Sequence, residues 1–120
     1  MKMIKSHTDL EQSKKLAEIF PLETADMFYV AGKGEPIFIG NRMVACGNDD
    51  YDALGVPDVL CWSLAALLSV VSEEVSLNSF KDGNWNAMVQ QNGKMIYGDA
   101  NNSVDACYEL ILKLHELKML

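Results

Sequence analysis

The sequence predicts an α+β fold in which a small antiparallel sheet packs with about three helices, in the order α-β-β-(β)-α-β-β-β-α. Asp82-Gly83 and Asn92-Gly93 separate three short apolar runs, and these dipeptides are the strongest short signals of a two-residue hairpin turn. Segments with helical spacing of apolar residues precede and follow those runs. The length of 120 residues fits a single domain, 1–120.

The amino-terminal part of the chain predicts a helix followed by a β-hairpin. Thr8 and Glu11 have the spacing of a capping box, in which a hydroxyl and a carboxylate each bind a backbone N–H of the first turn. Pro21 ends this helix. The two hairpin strands are predicted at residues 27–31 and 36–39, on either side of a glycine-containing turn.

The middle of the chain predicts a third strand, a loop and a central helix. The strand is expected at residues 42–46 and the loop at residues 47–55, which are rich in Asp, Asn and Gly. A helix is predicted from Pro57 to about Val71, because proline fits the first turn and Asp58 complements its positive end. The segment is apolar nearly all round, which predicts a helix covered on several sides.

The last part of the chain predicts a three-strand meander and a closing amphipathic helix. Trp85 is expected to anchor the core from the middle strand, and Met95 and Tyr97 share one face of the third strand. The helix begins after Asn102, with Asp105 three residues later at a capping position. The predicted strands are 75–81, 84–90 and 94–98.

The charge of the chain argues against direct binding to nucleic acid. The formal net charge is −7, which repels phosphate backbones, and Lys and Arg form no cluster. The latter half has the α-β-β-β-α order of double-stranded-RNA-binding domains, an analogy of fold alone. Those domains place basic residues at the start of the last helix, whereas residues 102–105 read Asn-Ser-Val-Asp.

The cysteine content and the apolar segments predict a cytoplasmic location. The three cysteines are an odd number without paired spacing, which favours a reducing compartment. The amino-terminal residues include no apolar leader region. The most apolar run, residues 59–71, is shorter than the roughly 20 residues that span a bilayer. We therefore expect a soluble protein with no membrane partner.

The most metal-like feature is the acidic loop with Asp49, Asp50 and Asp52. Calcium sites take several carboxylate and carbonyl oxygens from one loop, and the first two ligand positions of an EF-hand match Asp50 and Asp52. The pattern then fails, because Leu54 stands at the third ligand position and Cys61 stands where a bidentate glutamate is needed. A solvated turn is the default expectation, so no metal or cofactor is assigned.

The cysteine, histidine and serine residues show no catalytic pattern. Zinc sites usually contain a close pair of ligands, and no such pair occurs among Cys46, Cys61, Cys107, His7 and His115. Cys61 and Cys107 are expected on apolar helix faces as small buried residues, and His115 as a half-buried packing residue. Ser63 lacks a G-x-S-x-G context and is expected to bond to a backbone carbonyl. The sequence therefore predicts no catalytic residue and no enzyme.

Three segments carry a family resemblance. They are residues 24–27 (Thr-Ala-Asp-Met), residues 61–68 (Cys-Trp-Ser-Leu-Ala-Ala-Leu-Leu), and residues 104–107 running on to 113–117. Together they resemble small proteins, with no established activity, from prophages and conjugative elements of gut bacteria. Those proteins often read Asn-Pro before the last helix, where this chain has Asn102-Ser103. The resemblance implies a mobile-element origin and a cytoplasmic location, and it implies no activity or site residue.

The leading functional hypothesis is a non-enzymatic phage or mobile-element accessory protein that acts through protein–protein contacts. Seven methionines in 120 residues favour it, since methionine-rich surfaces adapt to partners. A homodimer through the second face of the meander is a related expectation. One alternative is an acidic mimic of nucleic acid that occupies a basic cleft. Another is a small-molecule or enzymatic site at the sheet–helix junction, using His115, Cys107 or the loop from Asp49 to Asp52.

Overall fold

The computed structural model describes residues 5–30, 33–39, 58–71, 74–91 and 93–120. Within these residues the fold is α+β, as the sequence predicts, and the order of elements agrees with the expected one. The described part contains three α-helices and two antiparallel three-stranded sheets. None of the described helices is long and apolar enough to cross a membrane.

The chain divides into two compact units. The amino-terminal unit comprises His7–Ala66, and the carboxy-terminal unit comprises Leu67–Leu120 together with the residues up to Ser6. Each unit contains one of the two sheets. The single domain expected for 1–120 stays a prediction, and the units are described separately below.

The first helix, α1 (Leu10–Ile19), begins one residue later than the capping-box prediction requires. Asp9 is the N-cap: its side chain accepts from the Gln12 backbone N–H, and the Gln12 side chain accepts from the Asp9 backbone N–H. The predicted box of Thr8 and Glu11 is therefore wrong. The reason is that Thr8 is fully buried and its hydroxyl is bonded to the distant residue Trp62, while its neighbour Asp9 caps equally well.

The sheet of the amino-terminal unit has the order β2-β1-β3. Its strands are β1 (Met27–Tyr29), β2 (Ile37–Phe38) and β3 (Val59–Cys61), and both pairings are antiparallel. The predicted helix from Pro57 to Val71 is wrong in its first part, because residues 59–61 pair with β1 as a strand. Helix α2 (Leu64–Val70) begins only after Ser63. The strand and loop expected at 42–46 and 47–55 lie outside the described residues.

The meander of the carboxy-terminal unit is confirmed. Strands β4 (Ser76–Ser79), β5 (Trp85–Gln91) and β6 (Lys94–Ala100) form an antiparallel sheet in the order β4-β5-β6. Gly83 and Gly93 lie in the two connecting turns with φ of 93° and 76°, a conformation that glycine adopts without a steric penalty. The turns at Gly83 and Gly93 therefore connect the three strands where the sequence predicts the hairpins.

Helix α3 (Ser103–Glu116) packs on β5 and β6. Asn102 is the N-cap, as predicted: its side chain accepts from the Asp105 backbone N–H at 2.8 Å and donates to the Asp105 carboxylate at 2.8 Å. Asp105 also accepts from the Lys5 ammonium at 2.7 Å. The buried face of the helix follows the predicted apolar spacing and comprises Val104, Ala106, Cys107, Leu110, Ile111 and Leu114.

Replacing Lys118 with glycine is expected to raise the free energy of unfolding by about 1 kcal/mol. Lys118 follows α3 with a left-handed φ of 58°, and the Met119 N–H donates to the carbonyl of Leu114 at 2.8 Å. Glycine is the residue that this helix ending favours. Chemical denaturation measures the effect, and Lys118→Ala, which keeps the strain, should give no gain. A gain as large from alanine would contradict the explanation.

Candidate functional site

Of the residues singled out from the sequence, His7 and Ser63 are paired in an antiparallel β-bridge within the amino-terminal unit. Asp49, Asp50 and Asp52 lie outside the described residues, as does Cys46. His115 is exposed on α3 and not half-buried as predicted, because it lies just outside the buried stripe of that helix. In the described ranges, no group of three or more His, Cys, Asp or Glu side chains is arranged to hold a metal ion.

Both described cysteines are buried, and the pKa of each thiol is raised above its ordinary value. Burial raises the pKa of Cys107 from 9.0 to about 11. Burial, and secondarily the charge of Asp26, raises the pKa of Cys61 from 9.0 to about 12. Cys61 lies on β3 and not on a helix as predicted, since the strand replaces the first part of that helix. A nucleophilic cysteine needs a lowered pKa, so the environment of these two thiols opposes that role.

Thr8 is the centre of a buried hydrogen-bonded cluster in the amino-terminal unit. Its N–H donates to the carbonyl of Trp62 at 3.0 Å, and its Oγ1 accepts from the Trp62 N–H at 3.1 Å. The Tyr29 hydroxyl donates to the Thr8 carbonyl at 2.7 Å, and the Ser13 and Thr8 hydroxyls lie 2.8 Å apart. The Trp62 indole N–H donates to the Thr24 hydroxyl at 2.9 Å. Every group in this cluster has a partner, which is the requirement for burying it.

Ser63 and Asp26 form a second polar contact in the same unit. The Ser63 N–H donates to Asp26 Oδ1 at 2.9 Å, and the Ser63 hydroxyl donates to Asp26 Oδ2. The Ser63 hydroxyl also accepts from the Ala66 N–H at 3.3 Å, which makes Ser63 the cap of α2. The expected bond from Ser63 to a backbone carbonyl is therefore not the one observed. Since Ser63 is 9% exposed, these contacts indicate a structural role.

The stability of the folded protein is expected to fall as the pH rises from about 9 to about 12. Burial raises the pKa of Tyr29 from 10.0 to about 12, and the thiols of Cys61 and Cys107 are raised as described. The folded state binds these protons more tightly than the unfolded chain. The stabilisation is therefore complete below pH 9.0, the ordinary thiol value, and is lost as the pH passes the raised pKa values.

Thermal unfolding midpoints measured across that pH range test this expectation. The Cys61→Ala/Cys107→Ala double variant should show a shallower loss of midpoint than the original chain, because two of the three groups are gone. Equal slopes for the two proteins would contradict the assignment of the alkaline loss to these thiols.

The sheet of the carboxy-terminal unit has one face under α3 and one face in solvent. Ala87, Val89, Ile96 and Gly98 are buried, and they alternate with residues on the opposite side, as the period of a strand requires. We call that opposite side the outer face. It consists of Ser76, Asn78, Asn86, Met88, Gln90, Met95, Tyr97 and Asp99. Trp85, expected as a core anchor on β5, is only half-buried.

Three apolar side chains adjoin one another on the outer face, on β6 and the neighbouring strand β5. Met95 and Tyr97 are 58% and 46% exposed, and Met88, directly opposite Tyr97 in the neighbouring strand, is half-buried. Near one end of the face, the Asn86 amide donates to Asp99 Oδ1 at 2.7 Å. Met95 and Tyr97 were expected on one face of the third strand, but not as a site. Their alternation with the buried Ile96 and Gly98 is the signal that identifies them.

Lys113 of α3 fixes the position of Tyr97. Its Nζ donates to the backbone carbonyl of Tyr97 at 2.7 Å and lies 4.9 Å from the centroid of the Tyr97 ring. An ammonium group over an aromatic ring is attracted by the negative face of the ring. The Tyr97 side chain is therefore both exposed and held in place.

Comparison of the chain with protein families, with curated proteins and with solved structures found no match. The outer face is therefore identified as the candidate site from its own exposure and composition.

Proposed function

We propose that the protein is a non-enzymatic accessory protein that acts through protein–protein contacts made by its outer face. The exposure of Met95 and Tyr97, side by side with Met88, is the observation that carries the proposal. Contiguous exposed apolar groups rimmed by polar ones are typical of interaction surfaces. Tyrosine and methionine are also enriched in the cores of interfaces.

The chemistry of the described polar side chains supports a role without catalysis. The Cys61 and Cys107 thiols stay protonated well above neutral pH. The Ser63 hydroxyl donates a hydrogen bond to the Asp26 carboxylate and accepts one from a backbone N–H. The proposed setting is the cytoplasm of a bacterium that carries a phage or mobile element. Its support is the sequence resemblance of residues 24–27, 61–68 and 104–117.

Site-specific photo-crosslinking in the cells that make the protein tests the proposal. A photoreactive phenylalanine analogue replaces Tyr97 in one variant and Leu22 in a control. Leu22 belongs to the amino-terminal unit and is also 46% exposed. We expect a discrete crosslinked product from position 97, competed by added original protein and not by Tyr97→Asp, and no such product from position 22.

Two outcomes would overturn the proposal. One is the absence of a discrete product from position 97 in a protein that is folded and expressed. The other is a product whose yield falls steeply with added salt and is unaffected by Tyr97→Asp. The second result would point to the acidic mimic of nucleic acid, because charge-driven contacts are screened by salt.

A further inference from the structure

We infer that the partner of the outer face is a second copy of this chain, packed sheet against sheet about a twofold axis. This inference rests on the proposed function and names the partner of the same surface. In a twofold interface the same patch contacts itself. Met88, Met95 and Tyr97 of one copy would then pack on the same three residues of the other, where sulfur–aromatic contacts are favourable.

The charge of the outer face favours self-association. The whole chain carries a net charge of −7, so two copies repel each other on average. Of the eight side chains of the outer face only Asp99 is charged, and it accepts a hydrogen bond from Asn86. The ammonium group of Lys113 lies beside the same face, at Tyr97. Two copies of this face therefore meet without a large electrostatic penalty, whereas a partner selected by charge would be drawn to the acidic surfaces.

The size of the outer face fits a weak dimer. Strands of four, seven and seven residues cover roughly 300 Å² in projection. Side-chain relief brings this to about 500 Å² of accessible surface per copy, or about 1,000 Å² in total, which is the lower limit of specific interfaces. Interfaces of this size are typical of weak, transient complexes, so we expect a dimer that dissociates on dilution.

At the β6 edge of the sheet, one contact from α3 disfavours strand addition. β6 is an edge strand, and unpaired edge groups invite another strand. Lys113 occupies the outward carbonyl of Tyr97 on that edge, which hinders the pairing of another strand there. The same contact holds the Tyr97 ring in place, so less side-chain freedom is lost on association.

Sedimentation velocity of the full chain, from about 1 µM to about 500 µM, tests the inference. The mass should rise with concentration from 13.3 kDa to twice that value and no further. Tyr97→Asp should weaken the dimer at least about tenfold, because it removes the aromatic ring and places like charges opposite each other across the twofold axis. Leu22→Asp is the matched control, with the same exposure and the same change of charge, and it should dimerise like the original chain.

Three results would overturn the inference: a monomer at every concentration, an equal effect of the two substitutions, or growth beyond two copies. The proposed function is decided separately by the crosslinking experiment. A monomeric chain whose position 97 crosslinks to a different protein retains the proposed function and loses only the dimer. A chain that dimerises equally well with Tyr97→Asp uses another surface for the dimer. If position 97 then also gives no crosslinked product, the dimer through the outer face and the proposed function are both rejected.

Discussion

Replacing Gly98 with alanine is expected to lower the free energy of unfolding by about 3 kcal/mol, the upper end of the usual cost of overpacking. Gly98 lies in β6 directly beneath α3. A Cβ atom there would meet the backbone N of Leu110 and lie 2.6 Å from the carbonyl oxygen of Ala106. Both atoms belong to the helix backbone, so α3 must move away from the sheet as a body. A loss of this size is a large share of the roughly 5–15 kcal/mol that stabilises a small domain.

Gly93→Ala is the control for this prediction. Gly93 lies in the turn of the same sheet with φ of 76°, and a Cβ atom there has nothing within 4 Å. It should cost only about 1 kcal/mol, the strain of a left-handed residue. Equilibrium unfolding in urea, followed by circular dichroism, measures both variants. Equal losses would show that close packing of α3 on β6 is not what requires glycine at position 98.

Replacing Trp62 with alanine is expected to lower the free energy of unfolding by about 3–5 kcal/mol. Trp62 is fully buried and is among the largest side chains without exposure. Its removal leaves a cavity and deprives the Thr24 hydroxyl of the indole N–H that it accepts at 2.9 Å. The backbone of Trp62 bonds to Thr8 in both directions, so movement at this position disturbs the buried cluster as well.

Trp85→Ala provides the comparison for the second prediction. Trp85 is only half-buried, at the beginning of β5, so its loss should cost about half as much. Urea unfolding of the two variants under one condition gives the comparison. If Trp85→Ala proved the more destabilising of the two, Trp85 would be the main aromatic anchor, and the difference in burial would not explain the two losses.

The meander and the last helix could be predicted because their signals are local. Asp82-Gly83 and the turn at Gly93 define the hairpins, and Asn102 with Asp105 defines the start of α3. Each of these signals acts within a few residues of chain. Their boundaries in the structure accordingly differ little from those expected, apart from β6, which continues past Gly98 to Ala100.

The errors occur where distant residues decide the local structure. Residues 59–61 are apolar enough for a helix, but their pairing with β1 makes them a strand. Thr8 has the spacing of an N-cap, but Trp62, far along the chain, takes its hydroxyl. In both cases tertiary contacts override a local preference. A sequence pattern read over a short window does not contain that information.

The candidate site was only partly visible in the sequence. The alternation of Met95 and Tyr97 with Ile96 and Gly98 follows from the period of a strand. Which of the two faces α3 covers depends on the close approach at Gly98, and the contact of Lys113 with Tyr97 depends on the placement of the helix. The sequence therefore predicts that Met95 and Tyr97 share a face of the strand, but it does not predict that this face is exposed.

Radical footprinting of Met95 tests most directly whether the outer face is used as a contact surface. Its oxidation is measured in the cells that make the protein and in purified protein diluted below about 1 µM, where a weak dimer is dissociated. Met119, a half-buried methionine after α3, serves as the internal reference. We expect the ratio of Met95 to Met119 oxidation to be several-fold lower in the cells, whether the occupant is a second copy or another protein. An unchanged ratio would contradict the account, because the outer face would then remain open to solvent where the protein works.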